Sequence, residues 1–270
     1  MQINAYDILE KVRAEKPLVH HLTNWVTIYD CANVVKVLGA SPVMAHAPEE
    51  VAEMSGIASA LVLNIGTLTT DLVESMKIAA RSAKRKGIPV VLDVCGAGAT
   101  KFRDDKSFEL LNETRIDVIK GNASEVARIA GEDVRTKGVD GGAVGRDLAE
   151  VAVELAKGRV CTVVITGKDD IVTDGGATYI VTNGHNMMGG IVGTGCMAAS
   201  VIGTFCAVES DLARAAASGL CCFGIAAELA AEDCPGPGAF KEKLFDCAYS
   251  LNREQIESMQ RIVSARTEAP

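Results

Sequence analysis

The sequence predicts an α/β chain, a mostly parallel central sheet with helices on both faces, and three observations carry that expectation. Short β-branched apolar runs alternate with longer stretches of helical spacing, the pattern of strands joined by crossover helices. Hydrophobic residues make up 48% of the chain but aromatics only 4%. The core is therefore built from Ala, Val, Ile and Leu, which suits strands buried on both faces. No linker, repeat or low-complexity tract divides the 270 residues, so residues 1–270 are read as one domain.

In chain order the strand candidates are residues 61–65, 88–93, 116–119, 161–166 and 179–182. Each is a short apolar run of strand length. Between them, residues 71–86 and 144–157 carry helical spacing. In the second, Val144, Leu148, Val151 and Leu155 share one face, with Arg146, Asp147, Glu150 and Glu154 on the other. From about residue 190 helix follows helix. Residues 196–208 and 212–231 come first, then two more helices after the turn Pro235-Gly236-Pro237-Gly238.

Net charge is -8 and no Lys/Arg block stands out, which argues against a nucleic-acid partner. The nine cysteines form no C-x-x-C pair. Cys161, Cys206 and Cys221 lie in apolar runs, as reduced core thiols do, so the expectation is a reducing compartment. The first residues lack a charged-then-apolar signal pattern. The apolar run 212–231 is interrupted by Arg214 and Glu228, and reads as a core helix rather than a membrane span. A soluble cytoplasmic protein is expected.

The densest glycine cluster is Gly189-Gly190-Ile191-Val192-Gly193-Thr194-Gly195-Cys196, opening directly into a helical run. Glycines allow close backbone approach, and a helix N-terminus presents unpaired N–H groups, so the run can hold a transferred phosphoryl group. A tight strand-to-helix turn is the plainer reading. Gly193-x-Gly195-x-x-Ala198 also satisfies the dinucleotide fingerprint. It lacks the flanking strands and the acid about 20 residues on that the fingerprint needs. No G-x-x-x-x-G-K-[ST] run occurs. Cys196 sits where a helix N-terminus lowers a thiol pKa from its usual ~8.5. It can accept a proton from an attacking alcohol, or simply fill space.

Three strand ends offer partners for that cluster. Asp93 ends an apolar run and precedes Gly96-Ala97-Gly98-Ala99-Thr100, at the strand end where α/β sheets collect ligand groups. Asn122 and Glu125 follow a second strand. They can organise Mg²⁺, while Asn at an N-cap with Glu three residues later is equally a capping box. Thr166 ends a third strand, and its hydroxyl and the adjacent N–H can bind a nucleotide oxygen.

Beyond these local readings, the chain resembles the hydroxyethylthiazole kinase family of the ribokinase-like superfamily, nearly end to end. The carrying stretches are Leu18-Val19-His20-x-Leu22-Thr23-Asn24, Leu38-Gly39-Ala40-Ser41-Pro42-Val43-Met44-Ala45 and Leu61-Val62-Leu63-Asn64-Ile65-Gly66-Thr67. Further on come Asp93 with Gly96-Ala97-Gly98-Ala99-Thr100, then Gly121-Asn122-Ala123-x-Glu125, Ile165-Thr166-Gly167, Asn183-Gly184-His185 and Gly193-x-Gly195-Cys196. The resemblance implies a ribokinase-like fold and MgATP-dependent phosphorylation of the primary alcohol of 4-methyl-5-(2-hydroxyethyl)thiazole, in thiamine salvage. It implies Cys196, with Gly193 and Gly195, as the catalytic run. Lys120, Thr166 and Asn122 fall at ATP contacts, and Asp93 and Glu125 where metal and phosphates are handled. Met44, Asn24, Val26 and Gly193 would line the thiazole pocket. A homotrimer with active sites near subunit interfaces is also implied.

Lys120 stands where the family commonly has Arg, Cys95 is unusual in its loop, and residues 25–31 depart from the usual pattern beside the thiazole pocket. Related readings are a ribokinase-like kinase of a pyrimidine or sugar alcohol, which would carry Asp at position 196, and a nucleotide-dependent dehydratase. A catalytically dead nucleotide-binding regulator is disfavoured by the intact Asp93, Asn122, Glu125, Gly193 and Gly195.

Overall fold

The computed structural model describes residues 3–132 and 147–266. The first half runs α1 (Ala5–Glu15), β1 (Leu18–Leu22), α2 (Ile28–Val37), β2 (Ser41–Val43), α3 (Val51–Ile57), β3 (Ala60–Asn64) and α4 (Thr70–Lys86). It continues through β4 (Val90–Asp93), α5 (Lys101–Glu113), β5 (Val118–Asn122) and α6 (Ala123–Ile129). The second half comprises α7 (Leu148–Arg159), β6 (Thr162–Thr166), β7 (Asp170–Thr173), β8 (Ala177–Val181) and a 3₁₀ turn (Asn186–Gly190). Then follow α8 (Thr194–Cys206), α9 (Leu212–Ala231), α10 (Pro237–Ser250), α11 (Arg253–Met259) and β9 (Ile262–Arg266).

All nine strands form one sheet in the order β2-β1-β3-β4-β5-β6-β7-β8-β9. Every pairing from β2 to β6 is parallel, and β6 through β9 is an antiparallel meander. The sheet is thus mostly parallel, as the alternation of runs predicts. Because successive side chains leave a strand on opposite faces, Val62, Val91, Val118 and Val164 join a core with α1, α2, α8, α9, α10 and α11. Leu61, Leu63, Leu92, Ile119 and Val163 join a second core with α3 to α7. Each such side chain taken wholly out of water contributes about 1.5–3 kcal/mol.

Local signals set the helix ends. The Thr69 side chain caps α4 by accepting from Leu72 N–H, and Gly87 closes that helix in the left-handed region. Asp211 caps α9 by accepting from Arg214 N–H. Among the described residues α9 is the one helix long and apolar enough to cross a membrane. Its residues 215–227 are buried and pack in the first core, as read from its composition.

The five strands read from sequence are β3, β4, β5, β6 and β8, with bounds displaced by up to three residues. The strands β1, β2, β7 and β9 add to them. In β1, His20 and His21 interrupt the apolar run, yet both are buried. The His20 ring bonds Ser55 Oγ at 2.9 Å and the Ala45 carbonyl at 2.8 Å, so burial leaves it satisfied. Val144 and Arg146, in the helical stretch read over 144–157, lie outside the described residues. The helix expected from residue 196 starts at Thr194 because Gly193 is its N-cap.

Candidate active site

Every parallel strand ends on the same edge of the sheet, and the segments leaving that edge enclose a cleft of ≈ 480 Å³. Its walls come from the β1 loop (Asn24, Val26, Thr27), the β4 end (Asp93, Cys95), the β5 end (Lys120, Asn122, Glu125), Thr166, and residues 189–196. A second recess of ≈ 540 Å³ adjoins it, reaching Asp170, Asn183, His185 and Phe223. The two share Thr166, Gly189, Thr194 and Gly195.

Gly193 has φ +99°, and a Cβ there would run into the Thr27 side chain. Only glycine meets both demands. At Gly195 a Cβ would stand 3.3 Å from Lys120 Nζ, so the bare backbone leaves a cradle over the ammonium. The N-terminus of α8 opens into the same space, which gives the cradle free N–H groups and the positive end of a helix dipole.

At the cradle's floor lies a buried polar chain. Lys120 Nζ is 3.2 and 3.3 Å from the two Asp93 carboxylate oxygens. Asn64 donates to Asp93 Oδ2 at 2.7 Å, and Asn24 Nδ2 donates to Asn64 Oδ1 at 3.0 Å and to Cys196 Sγ at 3.3 Å. Burial pushes the Asp93 carboxyl up, against the pull of Lys120. For Lys120, desolvation works downward, but Asp93 and Glu125 outweigh it and hold the ammonium charged.

Cys196 moves the other way. Its thiol is lowered to about 5, chiefly by the neighbouring Cys95 thiol, then against desolvation by Lys120, Thr27 and Asn64. The Cys95 thiol is raised by the same contact and by burial. The lowered pKa favours the thiolate, a base whose sulfur accepts from the Asn24 amide.

Glu125 is held differently. Its Oε1 accepts from Gly96 N–H at 2.6 Å and its Oε2 from Asn122 N–H at 2.7 Å, while Asn122 Oδ1 accepts from Glu125 N–H at 2.9 Å. The capping box anticipated for this pair is present at α6. Among the described residues no three His, Cys, Asp or Glu side chains converge as a metal cage. That donor set still fits Mg²⁺, which keeps several waters and takes one or two carboxylates beside substrate phosphates. Asp93 and Glu125 both face the cleft with lone pairs to spare.

Of the residues singled out from the sequence, Asn24, Val26, Asp93, Lys120, Asn122, Glu125, Thr166, Gly193, Gly195 and Cys196 all line one cleft. Met44 does not. It stands just past the edge strand β2, where its carbonyl bonds the His46 ring at 3.0 Å. Three groups escaped the sequence reading. Asn64 ends β3 inside the polar chain, and Asp170 faces the second recess. Arg103 ties two strand-end loops, from Nη1 to the Ile65 and Cys95 carbonyls at 2.9 and 3.0 Å and from Nη2 to Gly66 O at 2.8 Å. For Asn64 there was a usable signal: a polar residue closing a buried parallel strand is costly unless partnered.

The architecture, nucleotide-sized double cleft and glycine-rich helix start define a ribokinase-like protein. Its fold matches a ribokinase-like superfamily protein from Enterococcus faecalis, TM-score 0.62 and 14% identity, covering 90% of this chain and 93% of that one. The relationship is closer still to one group. A model of the hydroxyethylthiazole kinase family matches residues 9–254, and the chain belongs to that family. A hydroxyethylthiazole kinase of Methanosarcina mazei is 54% identical over 254 residues, 94% of this chain and 97% of that protein. The structure of a hydroxyethylthiazole kinase from Pyrococcus horikoshii OT3 superposes with TM-score 0.89 at 41% identity, covering 97% of this chain and 99% of that one.

Proposed function

We propose that this protein transfers the γ-phosphoryl group of ATP to the primary alcohol of 4-methyl-5-(2-hydroxyethyl)thiazole, a step of thiamine salvage. The observation that carries this reading is Cys196 at the head of α8, its sulfur accepting from Asn24, in one cleft with the Lys120–Asp93 pair. A base beside an anion cradle is what an alcohol-to-phosphate transfer requires.

ATP fits with its nucleoside in the recess beyond Thr166 and its phosphates crossing Thr194 and Gly195 toward Lys120. The ammonium and the α8 N–H groups receive charge on the transferred phosphoryl oxygens. Mg²⁺, accompanying the nucleotide near Asp93 and Glu125, supplies neutralisation of the phosphate charge. Cys196 accepts the alcohol proton as the oxygen attacks, and Gly193, bare of a side chain, lets that alcohol approach. Asn122 and Thr166 border the phosphate path, and Val26 and Asn24 the acceptor end.

The exposed apolar side chains Trp25, Val26, Tyr29 and Val192 flank the acceptor end. They support an oligomer interface beside the acceptor end, and the family resemblance implies a homotrimer with its active sites near such interfaces. All nine cysteines are free thiols, in keeping with a reducing, cytoplasmic setting. Incubation of the purified protein with the thiazole alcohol and MgATP should yield ADP and thiazole phosphate in equal amounts. Turnover of a pyrimidine alcohol without turnover of the thiazole alcohol would overturn the assignment.

A further inference from the structure

We infer that Asn64 is a positioning residue of the phosphoryl-transfer site: it bonds Asp93 and the Asn24 amide at once, and so holds that amide with an N–H aimed at the Cys196 sulfur. The inference rests on the reading of Cys196 as the base.

Each amide can face only one way. Asn24 Oδ1 accepts from Val26 N–H at 3.1 Å, Thr27 N–H at 3.0 Å and Thr27 Oγ1 at 3.0 Å. Backbone N–H groups only donate, so that oxygen is committed and Nδ2 must point into the cleft. Asn64 is committed at both ends. Its oxygen accepts from Gly66 N–H at 2.9 Å, and its nitrogen donates to Asp93 Oδ2 at 2.7 Å, an oxygen that also meets Lys120. Lys120 and Asn64 therefore both donate to Asp93, Asn24 donates to Asn64, and the same Asn24 nitrogen also donates to Cys196. The sulfur at the end of that line is an acceptor.

Asn64 and Asn24 are 1% and 3% exposed, so neither amide is held by water. A turned Asn64 amide would set its NH₂ against Gly66 N–H and its oxygen against Asp93. Both contacts are repulsive, and in a buried site they are costly. The phosphate end and the base end of the site are in this way joined by a single side chain that lines neither pocket, which adds to the Asn24 loop's own hold on its amide. Its distance from solvent separates it from residues that contact substrate, and its two bonded neighbours separate it from a residue that merely fills the core.

The test compares Asn64→Leu, near in volume but without either hydrogen bond, with the parent enzyme in two assays. Steady-state kinetics on the thiazole alcohol should show kcat reduced roughly 10- to 100-fold with the KM for ATP changed by less than about twofold. Iodoacetamide labelling at pH 4, below the lowered thiol pKa and read by mass spectrometry of the Cys196 peptide, should slow by roughly fivefold, the loss expected for one hydrogen bond to the sulfur. The double variant Asn24→Ala/Asn64→Leu should label no more slowly than the slower single variant, because both act through one amide. Asn64→Ser serves in the same assays if the leucine variant fails to fold. Unchanged labelling and unchanged kcat in a folded variant would overturn the inference. Cys196→Ala separates the two readings. Undiminished turnover there removes the base, while the labelling rates still report whether Asn64 orients the sulfur's donors.

Discussion

At the carboxyl end of β5, Glu125 spends both carboxylate oxygens on backbone N–H groups, those of Gly96 and Asn122. At the end of the neighbouring strand β4, Asp93 is met instead by side chains, Lys120 and Asn64. The two acids stand on one sheet edge and face one cleft. Glu125 answers needs that the fold itself creates, a helix start and a loop whose donors would otherwise be buried unpaired. Asp93 answers none of these. Both its partners are side chains, and through Asn64 and Asn24 the polar chain reaches the Cys196 sulfur. Buried polarity that satisfies backbone is explained by folding, whereas buried polarity that satisfies only itself points to chemistry.

Substitutions can break this contrast, the most damaging being at Lys120. Lys120→Met leaves Asp93 as an uncompensated buried acid. The expected cost is about 3–5 kcal/mol of unfolding free energy in urea titrations, together with loss of measurable turnover. Parent-like stability would show that the pair is not a buried ion pair in solution.

Cys196→Ala comes next. It should lower kcat by about 10²–10⁴-fold while nucleotide binding, followed by calorimetry, stays near parent levels. In the parent enzyme the sulfur is ionised above its lowered pKa of about 5. A base acts when deprotonated, so kcat/KM should be flat above that value and fall as pH drops through it. A limb near pH 8.5, typical of an unperturbed thiol, would contradict the donor shell seen around the sulfur.

Glu125→Gln sharpens the comparison from the other side. Losing one charge-assisted bond at the cap should cost about 1–2 kcal/mol in thermal or urea melts and raise the Mg²⁺ concentration needed for half-maximal rate. At saturating Mg²⁺, kcat should fall less than in Cys196→Ala. A larger fall would move Glu125 from the folding cluster into the chemical one. The smallest effect is expected at Thr166, whose hydroxyl donates to Gly121 O at 3.3 Å. Thr166→Val should raise the KM for ATP only a few-fold, equivalent to about 1 kcal/mol.

How much of this was legible depended on how local the signal was. The capping box at Asn122 and Glu125 could be read from spacing, since both partners lie within one helical turn. The strands β3 to β6 could be read from their apolar runs. His20 and His21 hid β1, because a buried histidine looks polar until its partners, Ser55 and the Ala45 carbonyl, are brought from distant segments. In β7, Asp170 opens the strand and obscures its apolar remainder. Met44 shows the opposite limit: the resemblance assigns it to the substrate pocket, and this single chain leaves it outside the cleft.

By itself the sequence determined the strand–helix alternation, the glycine-rich start of α8 and the residue types at the strand ends, because these depend on periodicity and on neighbours in the chain. Only the tertiary structure decided what Cys196 is. A cysteine at a helix start is an ordinary residue until Asn24, from another strand end, donates to its sulfur, and Cys95 and Lys120, from two more, draw its pKa down. Long-range electrostatics fixes the protonation of that group, and no reading of adjacent residues contains it.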